Sequence, residues 1–314
     1  MSEPVGRAVL IAGPTASGKS ALALMLAEKL GGEIVNADSM QLYREMRVLT
    51  ARPSAAEEAR VPHHLYGVRD ATQPLSAGRW AVCAAATMRE IASRGRLPIV
   101  VGGSGLYFRA LVEGLAPIPP VPAALRADVR AEVAAAGPDA HALLGELDPE
   151  LAAVLRPSDK QRIARGIEVA RATGRPLSAW QREPVEPLVT GNFVRIVLTP
   201  ERGWLRARCD LRFERMLEEG ALEEAAGMVA RGLDLALPAM KALGLRPLIR
   251  HLAGEIALEE AAAAGKAETR AYAKRQETWF RTQMIAWKPF YTQYSESLNA
   301  EFLSFIDELG LTRS

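Results

Sequence analysis

The chain of 314 residues contains only two cysteines, Cys83 and Cys209. Two thiols make neither a disulfide framework nor a zinc site on their own, so an apolar core must carry stability, and a reducing cytoplasm is the expected setting. No apolar run approaches the roughly 18 residues of a membrane span, so no membrane partner is expected. Met1 to Arg7 has no basic start and no long apolar stretch, so no secretory signal is expected there. An excess of one charge is also missing: 39 Lys and Arg stand against 37 Asp and Glu, a formal +2. Taken at face value, so small a total argues against a nucleic-acid partner. The sum conceals local imbalance. Arg156 to Arg182 sums to +5, Lys266 to Lys288 to +4, and Ala116 to Leu155 to −4. Phosphate contact depends on such local clusters. The near-neutral total therefore does not exclude a nucleic-acid partner bound, with salt-sensitive affinity, at two basic patches.

What the chain does have is core-forming material: 49% of residues are hydrophobic and 24% charged, which excludes a disordered chain. Ala8 to Ala12 is a short apolar run, followed by a turn rich in small residues, Gly13 to Gly18. Lys19 to Leu30 then reads as a helix, with apolar positions at Leu22, Leu26 and Leu30 and a stop at Gly31-Gly32. Ile34-Val35 ends on Asn36-Ala37-Asp38, Leu97 to Val101 ends on Gly102-Gly103, and Phe193 to Leu198 is a later strand. Strands alternating with helices predict a parallel sheet covered by helices. Pro117 to Pro122 and Pro184 to Pro187 read as stiff linkers around an Ala-rich helical stretch, Ala123 to Trp180. A strand resumes afterwards, so this stretch is an insertion and not a tandem domain.

Gly13-Pro14-Thr15-Ala16-Ser17-Gly18-Lys19-Ser20 fits G-x-x-x-x-G-K-[ST] in full, with a strand before it and a helix after. Glycines let backbone amides curl round a phosphate, and the helix N-terminus adds its positive end. Lys19 supplies a point charge, and the Ser20 hydroxyl is placed for Mg²⁺. The loop implies a di- or triphosphate but not what is done with it. Asp38 has three open readings: metal helper, general base, or cap of the following turn.

Further motifs follow in order: Asp38-Ser39-Met40-Gln41-Leu42-Tyr43, Leu49 to Pro53, Val61 to Leu65, Gly102 to Tyr107, Gln161 to Arg165, and Thr269 to Arg281. Together with the phosphate loop, this set resembles the bacterial-type tRNA dimethylallyltransferases, also called tRNA isopentenyltransferases. The resemblance implies an α/β fold: a P-loop, nucleotide-kinase-like parallel sheet flanked by helices. It implies a catalytic core over residues 1–116 and 188–314 and a helical insertion, 117–187, that contacts tRNA. The implied reaction moves the dimethylallyl group from dimethylallyl diphosphate to N6 of the adenosine 3′-adjacent to the anticodon, with Mg²⁺ assisting.

In this reading Gly13 to Ser20 hold diphosphate, Asp38 is the base, and Thr15 and Lys19 lie at the reacting centre. Asp38, Ser39, Met40 and Gln41 meet the flipped base; Ser104, Arg126, Gln161, Arg162, Ile163, Ala164 and Arg165 fall on tRNA-contact positions. His63-His64 is expected to be a loop pair supporting the site. Trp279 and Phe280 are expected to pack, while Tyr272, Lys274, Arg275 and Arg281 either touch phosphates or hold their helix to the sheet. Departures from the family pattern occur at Leu49, Arg52 and Leu245, where Gly, Lys and Tyr are usual, and at Ser20 and Ser104, where Thr is usual and a hydroxyl is kept; none touches Asp38 or Lys19. The resemblance favours a monomer. The rival activities are prenylation of free adenine nucleotides, a nucleotide kinase or ATPase, and RNA binding without catalysis. The lack of an Asp after the Leu97 to Val101 strand weighs against the kinase.

Overall fold

A computed structural model describes residues 4–291 and 299–308. The chain divides into two compact units, residues 1–112 with 187–314, and residues 113–186.

The first unit opens with β1 (Pro4–Ala12), α1 (Lys19–Leu30), β2 (Gly32–Asn36), α2 (Ala55–Arg60), β3 (His63–His64), α3 (Ala77–Ser93), β4 (Leu97–Gly102) and α4 (Gly105–Val112). The second unit holds α5 (Ala123–Ala136), α6 (Ala140–Leu147), α7 (Pro149–Val154), α8 (Lys160–Thr173) and α9 (Leu177–Gln181). The first unit then resumes with β5 (Thr190–Leu198), α10 (Arg202–Glu218), α11 (Ala221–Ala230), α12 (Leu245–Leu252), α13 (Leu258–Gln283), β6 (Lys288–Phe290) and α14 (Asn299–Glu308).

The six strands form one sheet in the order β3-β2-β4-β1-β5-β6, and every pairing is parallel. Successive residues of a strand point to opposite faces, so a central parallel strand must be apolar throughout. In β1, Ala8, Leu10 and Ala12 join one core with Trp80 and Met88 of α3 and Phe280 of α13. Val9 and Ile11 join the opposite core with Leu22 and Leu26 of α1 and Phe302 and Ile306 of α14. A third cluster packs Tyr43, Met46 and Leu49 against Phe213, Met240, Leu245 and Leu248 of the C-terminal helices. Among the described residues no helix is long and apolar enough to cross a membrane.

The edges of the sheet differ from the sequence reading. His63-His64 is a two-residue edge strand and not a loop pair. The Glu33 carboxylate holds it, receiving His64 Nε2 at 2.7 Å and Arg94 Nη2 at 2.8 Å. β6 carries no strand-like sequence signal, because it begins Lys288-Pro289; an edge position tolerates the missing amide of Pro289.

The second unit has its own core, in which Val129, Val133, Leu144, Ile163 and Ile167 are buried. Val121 is buried there and Ile118 packs against it, so the proline-rich segment is part of this core and not a spacer outside it. A buried aspartate ties the unit together. Asp148 caps the Leu151 amide at 3.1 Å and accepts from the Ser178 amide at 2.8 Å and hydroxyl at 2.6 Å.

Candidate active site

The phosphate loop connects β1 to α1 at the C-terminal edge of the sheet. Gly18 has φ +89° and Ala16 φ +64°, left-handed positions that turn the chain back before the helix. Gly13 is needed for closeness: a Cβ there would lie 2.8 Å from Ser17 Oγ and 3.2 Å from Leu198 Cβ. Two of the loop's amides already have protein acceptors. The Thr15 N–H donates to Gln276 Oε1 at 2.8 Å, and the Ser17 N–H donates to the Pro14 carbonyl at 3.3 Å. This narrows the expected diphosphate cradle. The amides of Gly18, Lys19 and Ser20 stand at the open end of α1, where the helix supplies no acceptor.

Lys19 is buried and donates to the Pro14 carbonyl at 3.1 Å. Burial pushes its ammonium down to about 8; Asp38 opposes that shift, and Arg212 adds to it. A cavity of about 180 Å³ lies against the loop, lined by Ala16, Lys19, Ser20, Arg208, Arg212 and Arg215. The three arginines recur every three to four residues on α10 and so share one face. Ser17 Oγ and Arg212 Nε are buried there with no hydrogen-bond partner among the described residues. A concave wall of one lysine and three arginines, with orphaned donors behind it, is built for a polyanion.

Asp38 follows β2. The cap reading is realised for one of its oxygens: Oδ1 accepts the Met40 amide at 2.9 Å. The backbone amide of Asp38 donates to Asn36 Oδ1 at 2.8 Å, and Asn36 Nδ2 bonds the Asp38 and Leu65 carbonyls, each at 3.0 Å. The carboxylate is thereby oriented while Oδ2 keeps no hydrogen bond among the described residues. Gly103 lies beside it and makes room for Gln276: a Cβ at Gly103 would lie 2.2 Å from Gln276 Nε2, while Asp38 Oδ2, at 3.5 Å, would be in ordinary contact.

Three phenols surround this carboxylate. Burial pushes Tyr66, Tyr107 and Tyr272 upward, and the negative charge of Asp38 adds to each shift. Their walls are rigid: Tyr107 stacks on Trp80 at 4.3 Å, and Trp80 Nε1 donates to the Asn36 carbonyl at 3.0 Å. Asp38, Lys19, Arg212 and the three tyrosines thus form one electrostatic neighbourhood.

The remaining expected residues divide. Ser104 Oγ accepts the Ser39 amide at 3.0 Å, so it braces the Asp38 turn. Gln41 Nε2 donates to the Thr50 and Ala51 carbonyls at 2.9 and 2.8 Å. In the second unit, Gln161 and Arg162 are exposed on α8 and Arg165 is half-buried, pairing with Glu168 at 3.5 Å. Ile163 and Ala164 are buried in that unit's core, where helical periodicity turns them inward. Their side chains are packing residues, which corrects their expected place on the tRNA-facing surface. Arg126 is half-buried and donates to the Val121 carbonyl at 3.2 Å.

On α13, Phe280 is core and Trp279 packs beside it, 2.0 Å from where a Cβ on Gly105 would stand. Tyr272 belongs to the Asp38 neighbourhood, whereas Lys274, Arg275 and Arg281 are exposed. Sequence reasoning missed Arg212 and assigned no role to Gln276. The Arg208, Arg212, Arg215 spacing is a signal for the first. Gln276 sits inside the Thr269 to Arg281 motif, but nothing local marks it as a bridge.

Residues 41–283 match the family model described as IPP transferase, and residues 6–66 match that described as isopentenyl transferase. The chain is 82% identical, over 100% of both lengths, to the tRNA dimethylallyltransferase of Parvibaculum lavamentivorans. It is 57% identical to that of Rhodopseudomonas palustris strain BisB18, covering 89% of each chain. The tRNA isopentenylpyrophosphate transferase of Bacillus halodurans has a similar structure, with 34% identity, TM-score 0.70 and 96% of each chain covered. A eukaryotic dimethylallyltransferase solved acting on tRNA superposes with TM-score 0.79 at 26% identity, covering 98% of this chain and 80% of that one. A match over most of the chain and identity this high along its full length place the protein in the IPP transferase family, among the tRNA dimethylallyltransferases.

Proposed function

We propose that the enzyme transfers the dimethylallyl group of dimethylallyl diphosphate to N6 of the adenosine 3′-adjacent to the anticodon of tRNA, releasing diphosphate. The observation that carries this reading is the shared neighbourhood of a phosphate-loop lysine and a carboxylate with one free oxygen. Polyanion cradle and proton acceptor lie together, as this transfer requires.

Diphosphate lies on the open amides of the loop, with Lys19, Arg208, Arg212 and Arg215 around it. Negative charge builds on it as the carbon–oxygen bond breaks. Fixed donors in a desolvated site stabilise that charge more than they stabilise the ground state. The amine of adenine is a weak nucleophile because its lone pair is delocalised; Asp38 Oδ2 takes its proton as the carbon–nitrogen bond forms. Oδ1, held by the Met40 amide, keeps the carboxylate aimed. Thr15 lies beside this centre on a backbone fixed by Gln276. The phenols of Tyr107, which is buried, and of Tyr66 and Tyr272, which are half-buried, stay protonated beside Asp38.

Mg²⁺ fits the cradle, since this ion takes few protein ligands and completes its shell with phosphate oxygens and water. The exposed hydroxyl of Ser20, at the end of the loop, would hold it. When bound, the ion supplies charge neutralisation on the leaving diphosphate.

The target base is extruded from its stack to reach Asp38. Asp38, Ser39, Met40, Gln41 and Ser104 meet it, while Arg126, Gln161, Arg162 and Arg165 contact the anticodon arm. The names of the relatives support a tRNA substrate. We extend the reading to a cytoplasmic setting, on the ground of the two lone cysteines, and to a monomer, on the family resemblance. The test is incubation with labelled dimethylallyl diphosphate and unmodified tRNA, followed by digestion to nucleosides. Labelled N6-dimethylallyladenosine is expected; ATP turnover without any prenyl transfer would overturn the reading.

A further inference from the structure

Behind the Asp38–Gln41 segment, residues 47–52 form a wound turn that belongs to no helix. The Ala51 amide donates to the Val48 carbonyl at 2.8 Å, and the Arg52 amide donates to the Arg47 carbonyl at 2.9 Å. Such a turn leaves its first amides without internal acceptors. Glu224 of α11, distant in sequence, supplies them. Its Oε1 accepts the Arg47 and Val48 amides, both at 2.7 Å, and its Oε2 accepts the Leu49 amide at 2.9 Å. Hydrogen bonds from three backbone amides to one carboxylate are charge-assisted, and the anion sits at the favourable end of the turn's dipole. Arg231, just past the same helix, pairs with Glu45 and with Asp70, fixing the flanking loops to α11 as well.

The other end of the turn faces the site. Its Thr50 and Ala51 carbonyls take both hydrogens of the Gln41 amide, and the Thr50 carbonyl also receives Arg212 Nη2 at 3.5 Å. With Nε2 fully engaged, Gln41 has only Oε1 left for a ligand. That atom is an acceptor, the complement of an exocyclic amine and the opposite of a keto oxygen.

We infer that Glu224 is a positioning residue for target-base recognition: by clamping the 47–52 turn it fixes the two carbonyls that orient the Gln41 amide, so that Gln41 offers its oxygen to the amino-bearing base. The inference rests on the reading that Gln41 meets the target base.

Full-length protein carrying Glu224→Gln, Gln41→Ala, or both is assayed with an anticodon stem-loop and dimethylallyl diphosphate. A glutamine keeps the size of Glu224 but turns an N–H toward a backbone donor. Glu224→Gln is expected to raise KM for the stem-loop about tenfold, and to add little to Gln41→Ala, as coupled residues do. KM for dimethylallyl diphosphate should stay within about twofold. A merely structural role would lower the active fraction and so kcat, leaving both KM values in place; that result, or full additivity in the double variant, overturns the inference. If Gln41→Ala alone has no effect, the reading of Gln41 fails and the inference with it. If Gln41→Ala is impaired and Glu224→Gln still adds in full, only the inference fails. Should Glu224→Gln not fold, Glu224→Asp, one methylene short, is read in the same cycle.

Discussion

The side-chain amide of Gln276 bridges the phosphate loop and the end of β4: its Oε1 accepts the Thr15 amide at 2.8 Å and its Nε2 donates to the Gly103 carbonyl at 2.9 Å. Thr15 opens the diphosphate cradle, and Gly103 stands beside Asp38 Oδ2. One buried residue of α13 therefore sets the spacing between leaving-group site and base. Gln276→Leu strands an amide and a carbonyl, which costs about 1–3 kcal/mol per buried unsatisfied group. Denaturant unfolding should show that loss, and KM for dimethylallyl diphosphate should rise. Unchanged stability would mean that water replaces the bridge.

Asp38→Asn keeps the Met40 contact but removes the proton acceptor. Single-turnover transfer should fall at least about 100-fold, while diphosphate affinity changes little. Equal loss of both would assign Asp38 to diphosphate binding instead.

Lys19 gives a pH signature. Its ammonium titrates at about 8, so affinity of the free enzyme for dimethylallyl diphosphate should hold up to that pH and weaken above it. The limiting slope is about tenfold per pH unit, and Lys19→Met should flatten it. The stability effect runs the other way. The folded pKa lies below the ordinary lysine value of 10.5, so between about 8 and 10.5 the unfolded chain binds the proton more tightly. Stability from this residue therefore rises with pH across that window, which unfolding measurements at pH 7.5 and 9.5 would read.

Two glycine substitutions should move in opposite directions. Gly105→Ala places a Cβ 2.0 Å from the Trp279 ring, overpacking that costs about 1–3 kcal/mol. Gly145→Ala in α6 meets nothing within 4 Å and should stabilise by up to about 1 kcal/mol through helix propensity. Thermal unfolding of the two variants checks both signs.

The second unit makes a prediction about salt. Arg162→Ala should weaken stem-loop binding and lower the salt slope by about one. Arg171→Ala should leave the slope unchanged, because Arg171 already pairs with Glu132 through both Nη atoms. Equal slopes for Arg162→Ala and the parent protein would remove Arg162 from the RNA surface.

Much of the site was legible locally. Gly13 to Ser20 announced a phosphate cradle, because left-handed backbone at Gly18 and a helix start at Lys19 are properties of adjacent residues. Asp38 was legible as the end of a strand, although its split role, Oδ1 pinned and Oδ2 open, required the neighbouring chain. Helical period also explains the correction at Ile163 and Ala164, which lie on the inward face of α8 between the exposed Gln161-Arg162 and the half-buried Arg165.

The basic segment Arg156 to Arg182 shows where such reading stops. Its excess of +5 is partly cancelled in space. Arg171 pairs with Glu132, and Arg182 with Glu150, both from the acidic stretch before it, while Arg175 pairs with Glu183 just beyond it. Local sums of charge cannot see partners that the fold brings in.

The sequence by itself determined the alternation of strands and helices, the phosphate loop and the ordered motifs of the family, because turn chemistry and periodicity act over a few residues. Only the tertiary structure decided that Gln276 spaces the loop from Asp38, that Arg212 joins Lys19, and that Glu224 caps the turn behind Gln41. Each of those contacts joins residues more than 170 positions apart, and no short-range pattern of side chains encodes a hydrogen bond made across such a separation.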